Sequence, residues 1–410
     1  MSMERIPLHR PAIDEDDVAA VTRVLRSGWL TTGAECQAFE AEFAAAVGAQ
    51  HAVAVNSCTA ALHLALEASG LDGAGGVVLV PALTFAATAE VVTYFGATPV
   101  LVDCERDTLN LDPTHAAHLC GELAAGRPVP GLRQPARPHA IIPVHYAGQM
   151  ADVDALATLA RVHGLRVIED AAHAFPAAAR AADGTWRWCG TTAEQTCFSF
   201  YANKTITTGE GGMLVSDDAQ LIERARCMSL HGLSQDAWRR YGANGSWHYK
   251  IIAPGYKYNL TDIAAALGRA QLVKAAALAA QRRQLAERYR ALLGDVEELE
   301  LPVERPDRRS AWHLYVIRLR LDRLGIDRDT FIQELARAGV GTSVHWMPLH
   351  LHPYYQATYR LSPGDFPVAS AEWERMVSLP IFPSMRDDEQ LRVAAAVRGV
   401  VARSLRAQVA

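Results

Sequence analysis

Between residues 52 and 216 the chain switches repeatedly between two hydrophobic periods, and that alternation restricts the fold more than any other feature. Short β-branched runs at 52–56, 77–80, 98–103, 140–143, 166–170, 196–200 and 212–216 read as strands buried on both faces. Helical patterns lie between many of them, at 59–69, 85–95, 153–163 and 219–230. Strand, helix, strand with short links predicts an α/β fold, a mostly parallel sheet covered by helices.

After residue 261 the rhythm changes. An Ala/Leu/Arg-rich stretch from 261 to about 293 reads as one long helix, with Thr261 and Asp262 as caps. Beyond it, a strand at 312–321, a helix at 328–338, a short strand at 339–345 and a helix after Asp387 predict a small C-terminal α+β domain. The expected division is a large domain over 1–261 and the linking helix plus small domain over 262–410. Residues 121–138, rich in Pro, Gly and Arg, read as a surface insertion.

Composition narrows the class. With 40 Lys and Arg against 45 Asp and Glu, the formal net charge is −5, which leaves no basic excess for nucleic acid. Seven scattered Cys fit neither a disulfide framework nor a CxxC metal site and point to a reducing compartment. The first 17 residues lack the apolar core of a signal peptide, and no apolar run is read as membrane-spanning. A cytoplasmic enzyme with no nucleic-acid or membrane partner is therefore expected.

Several stretches carry chemistry. In 198–212, FSFYANKTITTGEGG, a buried strand delivers Ser199 and then a polar turn with one Lys, Lys204. A lysine held in a pocket is a nucleophilic amine, whereas an exposed one is only a loop residue. In 165–174, LRVIEDAAHA, an apolar strand ends in Glu169 and Asp170, with His173 three residues on. Asp170 either pairs with a ring cation at the edge where open α/β sheets bind ligands or caps a turn. In 56–63, NSCTAALH, small residues open a helix after a strand, which suits either an anion or a plain Ser/Thr cap. Phe85 in PALTF (81–85) is an aromatic plate or a core residue. Together, a phosphate cradle, an aromatic plate, an acid for a ring nitrogen and a lysine for an aldehyde fit pyridoxal 5′-phosphate.

At these residues the sequence resembles the DegT/DnrJ/EryC1/StrS sugar aminotransferases of the fold type I, aspartate-aminotransferase superfamily. The motifs are SGWLTTG (27–33), NSCTAALHLAL (56–66), PALTFAATAEVV (81–92), VIEDAAHAF (167–175), SFYANKTITTGEGGM (199–213), HG (231–232), PGYKYNLTDIAAALG (254–268) and SLPIFP (378–383). The resemblance implies that Lys204 is the Schiff-base lysine and Asp170 the partner of the pyridinium nitrogen. It puts His173, where many members carry Gln, beside the ring hydroxyl. Thr59 and Ala60 would offer backbone N–H groups to the phosphate and Ser199 its hydroxyl, with Phe85 stacked on the ring. It also implies a homodimer in which the loop at 255–262 reaches the other subunit's phosphate, through Asn259 or Lys257. Many members read G-Y-N-x-R there, whereas this chain reads GYKYN at 255–259.

The implied reaction moves an amino group from an amino acid, glutamate by family expectation, to a keto group of a nucleotide-linked sugar. The wording of VIEDAAHAF and PGYKYNLTDI is similar to that of enzymes aminating C4, with C3 as the alternative. A PLP-dependent sugar dehydratase or deaminase and a non-catalytic regulator of the same fold are the other readings. Lys204 argues against the dehydratases, some of which have His there. Trp29, Thr31, His345 and Tyr355 are candidate sugar contacts. No metal is expected: Pro348 interrupts any ligand face in HWMPLHLH (345–352). His115 and His118 read as an exposed helix face, and the glycines at 70–76 fail the dinucleotide spacing.

Overall fold

A computed structural model describes residues 5–71, 73, 75–132, 134, 136–233 and 250–405; Asp72, Ala74, Arg133 and Pro135, which fall in the glycine stretch and the expected insertion, lie outside them. In chain order the helices are α1 Glu15–Ser27, α2 Ala34–Val47, α3 Cys58–Ala68, α4 Ala87–Thr93, α5 Pro113–Ala124, α6 Val153–His163, α7 Ala219–Ser229, α8 Asp262–Leu293, α9 Arg328–Arg337, α10 Pro353–Tyr359, α11 Pro367–Trp373 and α12 Asp387–Ser404. The strands are β1 His51–Val55, β2 Val77–Pro81, β3 Thr98–Val102, β4 Pro138–Ile141, β5 Arg166–Asp170, β6 Ala178–Arg180, β7 Trp186–Trp188, β8 Gln195–Ser199, β9 Gly212–Ser216, β10 Leu299–Glu300, β11 Arg308–Arg309, β12 Tyr315–Leu319 and β13 Met376–Leu379.

The seven apolar runs become one sheet in the order β1-β9-β8-β5-β4-β2-β3. The pairings among β3, β2, β4, β5 and β8 are parallel, and β9 runs antiparallel to both β8 and β1. Alternate residues of β1 go to opposite layers: Val53 and Val55 pack with α3, while Ala52 and Ala54 pack with Phe39 and Phe43 of α2. Double coverage is why these strands show no polar face.

Helix α8 begins as expected, with Thr261 accepting the Ala264 N–H. Asp262 does something the sequence does not suggest. Its carboxylate accepts the N–H groups of Gly33, Glu35 and Cys36 and so caps α2, whose own N-cap is a glycine. By length and composition α8 is long and apolar enough to cross a membrane, contrary to the sequence reading. It packs instead: Ala265, Ala275 and Leu278 join the core beneath the large sheet, and Leu285, Ala286, Tyr289 and Leu293 join the core around β12 and β13. Ile6 also packs with that second core and pairs with Val340.

Three expectations are corrected. Residues 339–345 form no strand; Val340 and Ser343 make single bridges to Ile6 and Ser378. The insertion is shorter than 121–138, because 121–124 complete α5 and Pro138 opens β4. His115 is not an exposed face residue: its Nδ1 accepts the Asp103 N–H at 2.9 Å, while His118 is exposed.

Candidate active site

The carboxyl ends of β1, β2, β5 and β8 open on one side of the sheet around a cavity of about 430 Å³. Crevices of this kind form where strand ends leave backbone groups and loop side chains facing the same space. Ser57, Cys58, Thr59, Phe85, Asp170, His173, Ser199 and Lys204 line it from the first half of the chain. His313, His345 and Trp346 close it from the second.

Strand alternation sets the floor. In Phe198-Ser199-Phe200 the two rings are fully buried and Ser199 faces the cavity. Phe198 and Phe200 lie 5.0 and 5.2 Å from Phe43, and Phe200 is 5.1 Å from Phe39. Such aromatic anchoring, worth about 3–5 kcal/mol per ring on truncation, holds β8 in register. Ser199 Oγ accepts the Tyr201 N–H at 3.3 Å, leaving its own hydrogen for a ligand.

Asp170 ends β5 and is buried. Its Oδ1 accepts the Ala172 N–H at 3.1 Å and its Oδ2 the Thr88 hydroxyl at 2.9 Å; Thr88 is in turn 2.8 Å from Thr84 Oγ1. Burial pushes the Asp170 pKa up, against these hydrogen bonds and the charge of Lys204. A protonated ring nitrogen would reverse that balance by supplying the cation the carboxylate lacks. Thr88 was not singled out from sequence, although it stands inside the quoted PALTFAATAEVV run; polar residues four apart at a helix start look like ordinary caps.

Of the chain's four lysines, Lys204 alone lines the cavity. Lys274 bonds Asp14 and Asp17, and Lys257 is exposed and donates to Asn259. Among the described residues no acceptor lies within hydrogen-bond reach of the Lys204 amine. Burial and the Arg282 charge lower its pKa to about 8, with Cys58 and Asp170 opposing. A reactive neutral amine is thus populated near neutral pH.

The anion end is the start of α3. Ser57 caps the helix, and Ser57, Cys58 and Thr59 line the cavity with the first turn's unpaired amides. Gly212 passes so close that a Cβ there would lie 2.5 Å from the Ser57 carbonyl and 2.6 Å from the Cys58 nitrogen, so only glycine fits. Ala60 departs from expectation: its N–H is already donated to Ser57 Oγ at 3.1 Å, as an N-cap bond demands, and it does not line the cavity.

His173 is buried between two rings, 4.1 Å from His313 and 5.0 Å from Trp346. Burial and the nearby Lys204 hold its pKa well below the usual imidazole value. His345 bonds Ser378 at 2.8 Å, and burial lowers its pKa to about 4. Phe85 is exposed at the mouth, 6.2 Å from Trp346. His313 and Trp346 escaped the sequence reading because one lies in a strand-like run and the other in an irregular loop.

The remaining expected residues lie elsewhere in their own chain. Trp29 donates to the Thr32 carbonyl and the Thr31 carbonyl accepts from Asp262, both on the surface. Tyr355 is a core residue stacked near Tyr359. Lys257 and Asn259 bond each other, and Asn259 also bonds Thr32; neither lines the cavity of its own chain. His350 Nε2 bonds Ser370, with its buried Nδ1 unpartnered among the described residues, and His352 bonds the Met347 carbonyl. The described group with metal-ligand spacing is His145, Glu169 and Cys189; there Glu169 accepts hydrogen bonds from Thr192 and Thr196.

A lysine amine, a buried carboxylate, an unpaired helix start and a glycine cradle around one cavity fit pyridoxal 5′-phosphate. Comparison with known proteins agrees. The spore coat polysaccharide biosynthesis protein SpsC of Bacillus subtilis (strain 168) is 44% identical over 397 residues, 97% of each chain. The putative sugar aminotransferase Spr1654 from Streptococcus pneumoniae, solved in PLP and PMP forms, superposes with TM-scores of 0.86 and 0.85 at 29% identity; the PLP form covers 98% of this chain and 100% of its own. DesV of S. venezuelae is 33% identical with a TM-score of 0.83, covering 97% and 99%. The sequence profile of the DegT/DnrJ/EryC1/StrS aminotransferase family matches residues 11–398, and the chain belongs to that family of fold type I, pyridoxal-phosphate-dependent enzymes.

Proposed function

We propose that the protein transfers an amino group from glutamate to the C4 keto group of a nucleotide-linked keto-deoxysugar, with C3 as the competing position. The observation that carries the amino-transfer part is the Lys204 amine facing the same cavity as the buried Asp170 carboxylate. Preference for C4 rests on the VIEDAAHAF and PGYKYNLTDI wording. Similarity to SpsC, a spore coat polysaccharide biosynthesis protein, favours a product destined for polysaccharide.

Bound pyridoxal 5′-phosphate supplies an aldehyde that carries nitrogen and a ring that accepts electrons. The amides of Cys58 and Thr59 and the Ser199 hydroxyl would hold its phosphate. Asp170, oriented by Thr88 and the Ala172 amide, would keep a proton on the ring nitrogen. Phe85 would lie on the ring, and His173 would serve beside the ring hydroxyl as a neutral imidazole. Lys204 Nζ, once free, takes the proton from the donor's α-carbon and later returns one to the sugar carbon that receives nitrogen. His345 and Trp346 face the sugar.

The working unit in this reading is a cytoplasmic homodimer, in which Asn259 or Lys257 of the partner completes the phosphate site. What supports it is that the Asn56 side chain donates to the Lys257 carbonyl, which keeps this loop beside the helix start, while neither Lys257 nor Asn259 lines the cavity of its own chain. The test is incubation with glutamate and a panel of 3- and 4-keto nucleotide sugars, followed by NMR of the product. An amine at C4 is expected. Amination at C3, loss of a hydroxyl without amination, or no reaction with any donor would each displace this reading.

A further inference from the structure

Four arginines are buried among the described residues. Arg308, Arg318 and Arg328 each have a carboxylate within 4 Å, as burial of a guanidinium ordinarily requires. Arg282 of α8 is fully buried and has none. Its Nη1 donates to three carbonyls, of Trp312 and His313 at 3.3 Å each and of Ile381 at 3.1 Å. Its Nε and Nη2 have no acceptor among the described residues.

One of these carbonyls belongs to the cavity wall, that of His313, and a second to the residue before it, Trp312. Trp312 takes a left-handed backbone, φ 49°, which is costly for a bulky side chain and needs outside support. The next residue, His313, lines the cavity and sets its ring 4.1 Å from His173. Arg282 therefore fastens the short segment that sets the His313 ring against His173, opposite the separate contact that Trp346 makes.

Resting on the amino-transfer reading of the same site, we propose that Arg282 is a positioning residue. It fixes the Trp312–His313 backbone so that His313 backs His173, and it supplies a buried positive charge that no carboxylate neutralises behind Lys204. A charge so placed bears on Lys204, His173, His313 and His9, and in each case opposes protonation. Burial also lowers the pKa of Arg282 itself, to about 10, so it stays charged at neutral pH. Its role is to keep the lysine amine available as a base and the two imidazoles neutral.

The test is a pH titration of the holoenzyme's visible absorbance in wild type, Arg282→Met and Arg282→Lys. The groups facing Lys204 are Cys58 of α3, Asp170 at the end of β5, His173, Tyr201, Glu210, His313, His345 and, from the N-terminal segment, His9, and all are retained. Loss of the cation should raise the midpoint by about one unit in Arg282→Met, and Arg282→Lys should stay within about 0.3 unit of wild type. kcat should fall about tenfold in Arg282→Met with the sugar KM unchanged. A wild-type midpoint in Arg282→Met, or equal shifts in both variants, overturns the proposal. Arg282→Gln replaces Arg282→Met should the latter not fold, and if neither neutral variant folds, a displacement above about 0.5 unit in Arg282→Lys is contrary evidence. If wild type takes up no cofactor, the amino-transfer reading fails instead. The same upward shift is then expected in the pH dependence of Lys204 acylation, read by peptide mass on the apo-protein.

Discussion

The two walls of the cavity are built in different ways. The first wall comes from strand ends and a helix start: Ser199 is placed by alternation in β8, Asp170 by its position as the last residue of β5, and Thr59 by the cap of α3. The second wall comes from irregular backbone, His313 after a left-handed Trp312 and His345–Trp346 in a loop, held by remote contacts with Arg282, Ser378 and Tyr146. Register is rigid and suits chemistry that must be placed within fractions of an ångström. Loop walls tolerate change and suit discrimination between substrates. First-wall variants should therefore damage both half-reactions, and second-wall variants chiefly the sugar's.

The largest effect expected is from Lys204→Ala. Activity should fall by about 10⁴-fold or more and the visible absorbance should vanish, while nucleotide-sugar binding measured by calorimetry persists. Retained absorbance in that variant would break the division at once. Asp170→Asn should lower both half-reactions by about 10²–10³-fold, and Thr88→Val by about tenfold, since it removes the hydroxyl hydrogen bond that aims the carboxylate. Stopped-flow rates with glutamate alone check this; a Thr88→Val loss confined to the sugar step would put Thr88 on the wrong wall.

His345→Ala should raise the sugar KM by about tenfold, or about 1.4 kcal/mol, with the glutamate half-reaction unchanged. Equal losses in both halves would erase the distinction. The smallest effect concerns pH. Because Lys204 has a pKa lowered to about 8, its neutral fraction grows as pH rises toward that value and levels above it. Uptake of cofactor by apo-protein should accelerate by about fivefold between pH 7 and 8 and flatten beyond about pH 9. An uptake rate still climbing steeply at pH 10 would return the lysine to its ordinary basicity.

The first wall was largely legible in the sequence because it obeys short periods. An apolar run ending in Glu169-Asp170, or Phe-Ser-Phe before a turn with a lysine, announces both the strand and the residue at its tip. Ala60 stands apart from this pattern because the same turn spends its third amide on its own cap. The second wall and its supports were mostly illegible because their partners are distant. Arg282 sits in an Ala/Leu/Arg-rich helix where an arginine looks solvated, and its carbonyl partners lie 30, 31 and 99 residues away. Asp262 likewise looks like a cap of its own helix, and only folding brings it to α2. Tyr355 reads as a pocket aromatic until α10 packs it into the core.

Four lysines make the central claim open to one direct measurement. Holoprotein reduced with borohydride fixes the cofactor to whichever lysine holds it, and peptide mapping by mass spectrometry then reads the position. The account predicts the label on the peptide carrying Lys204, with Lys250, Lys257 and Lys274 unmodified. A label on any of those three, or a reduced protein with no labelled lysine, would contradict it.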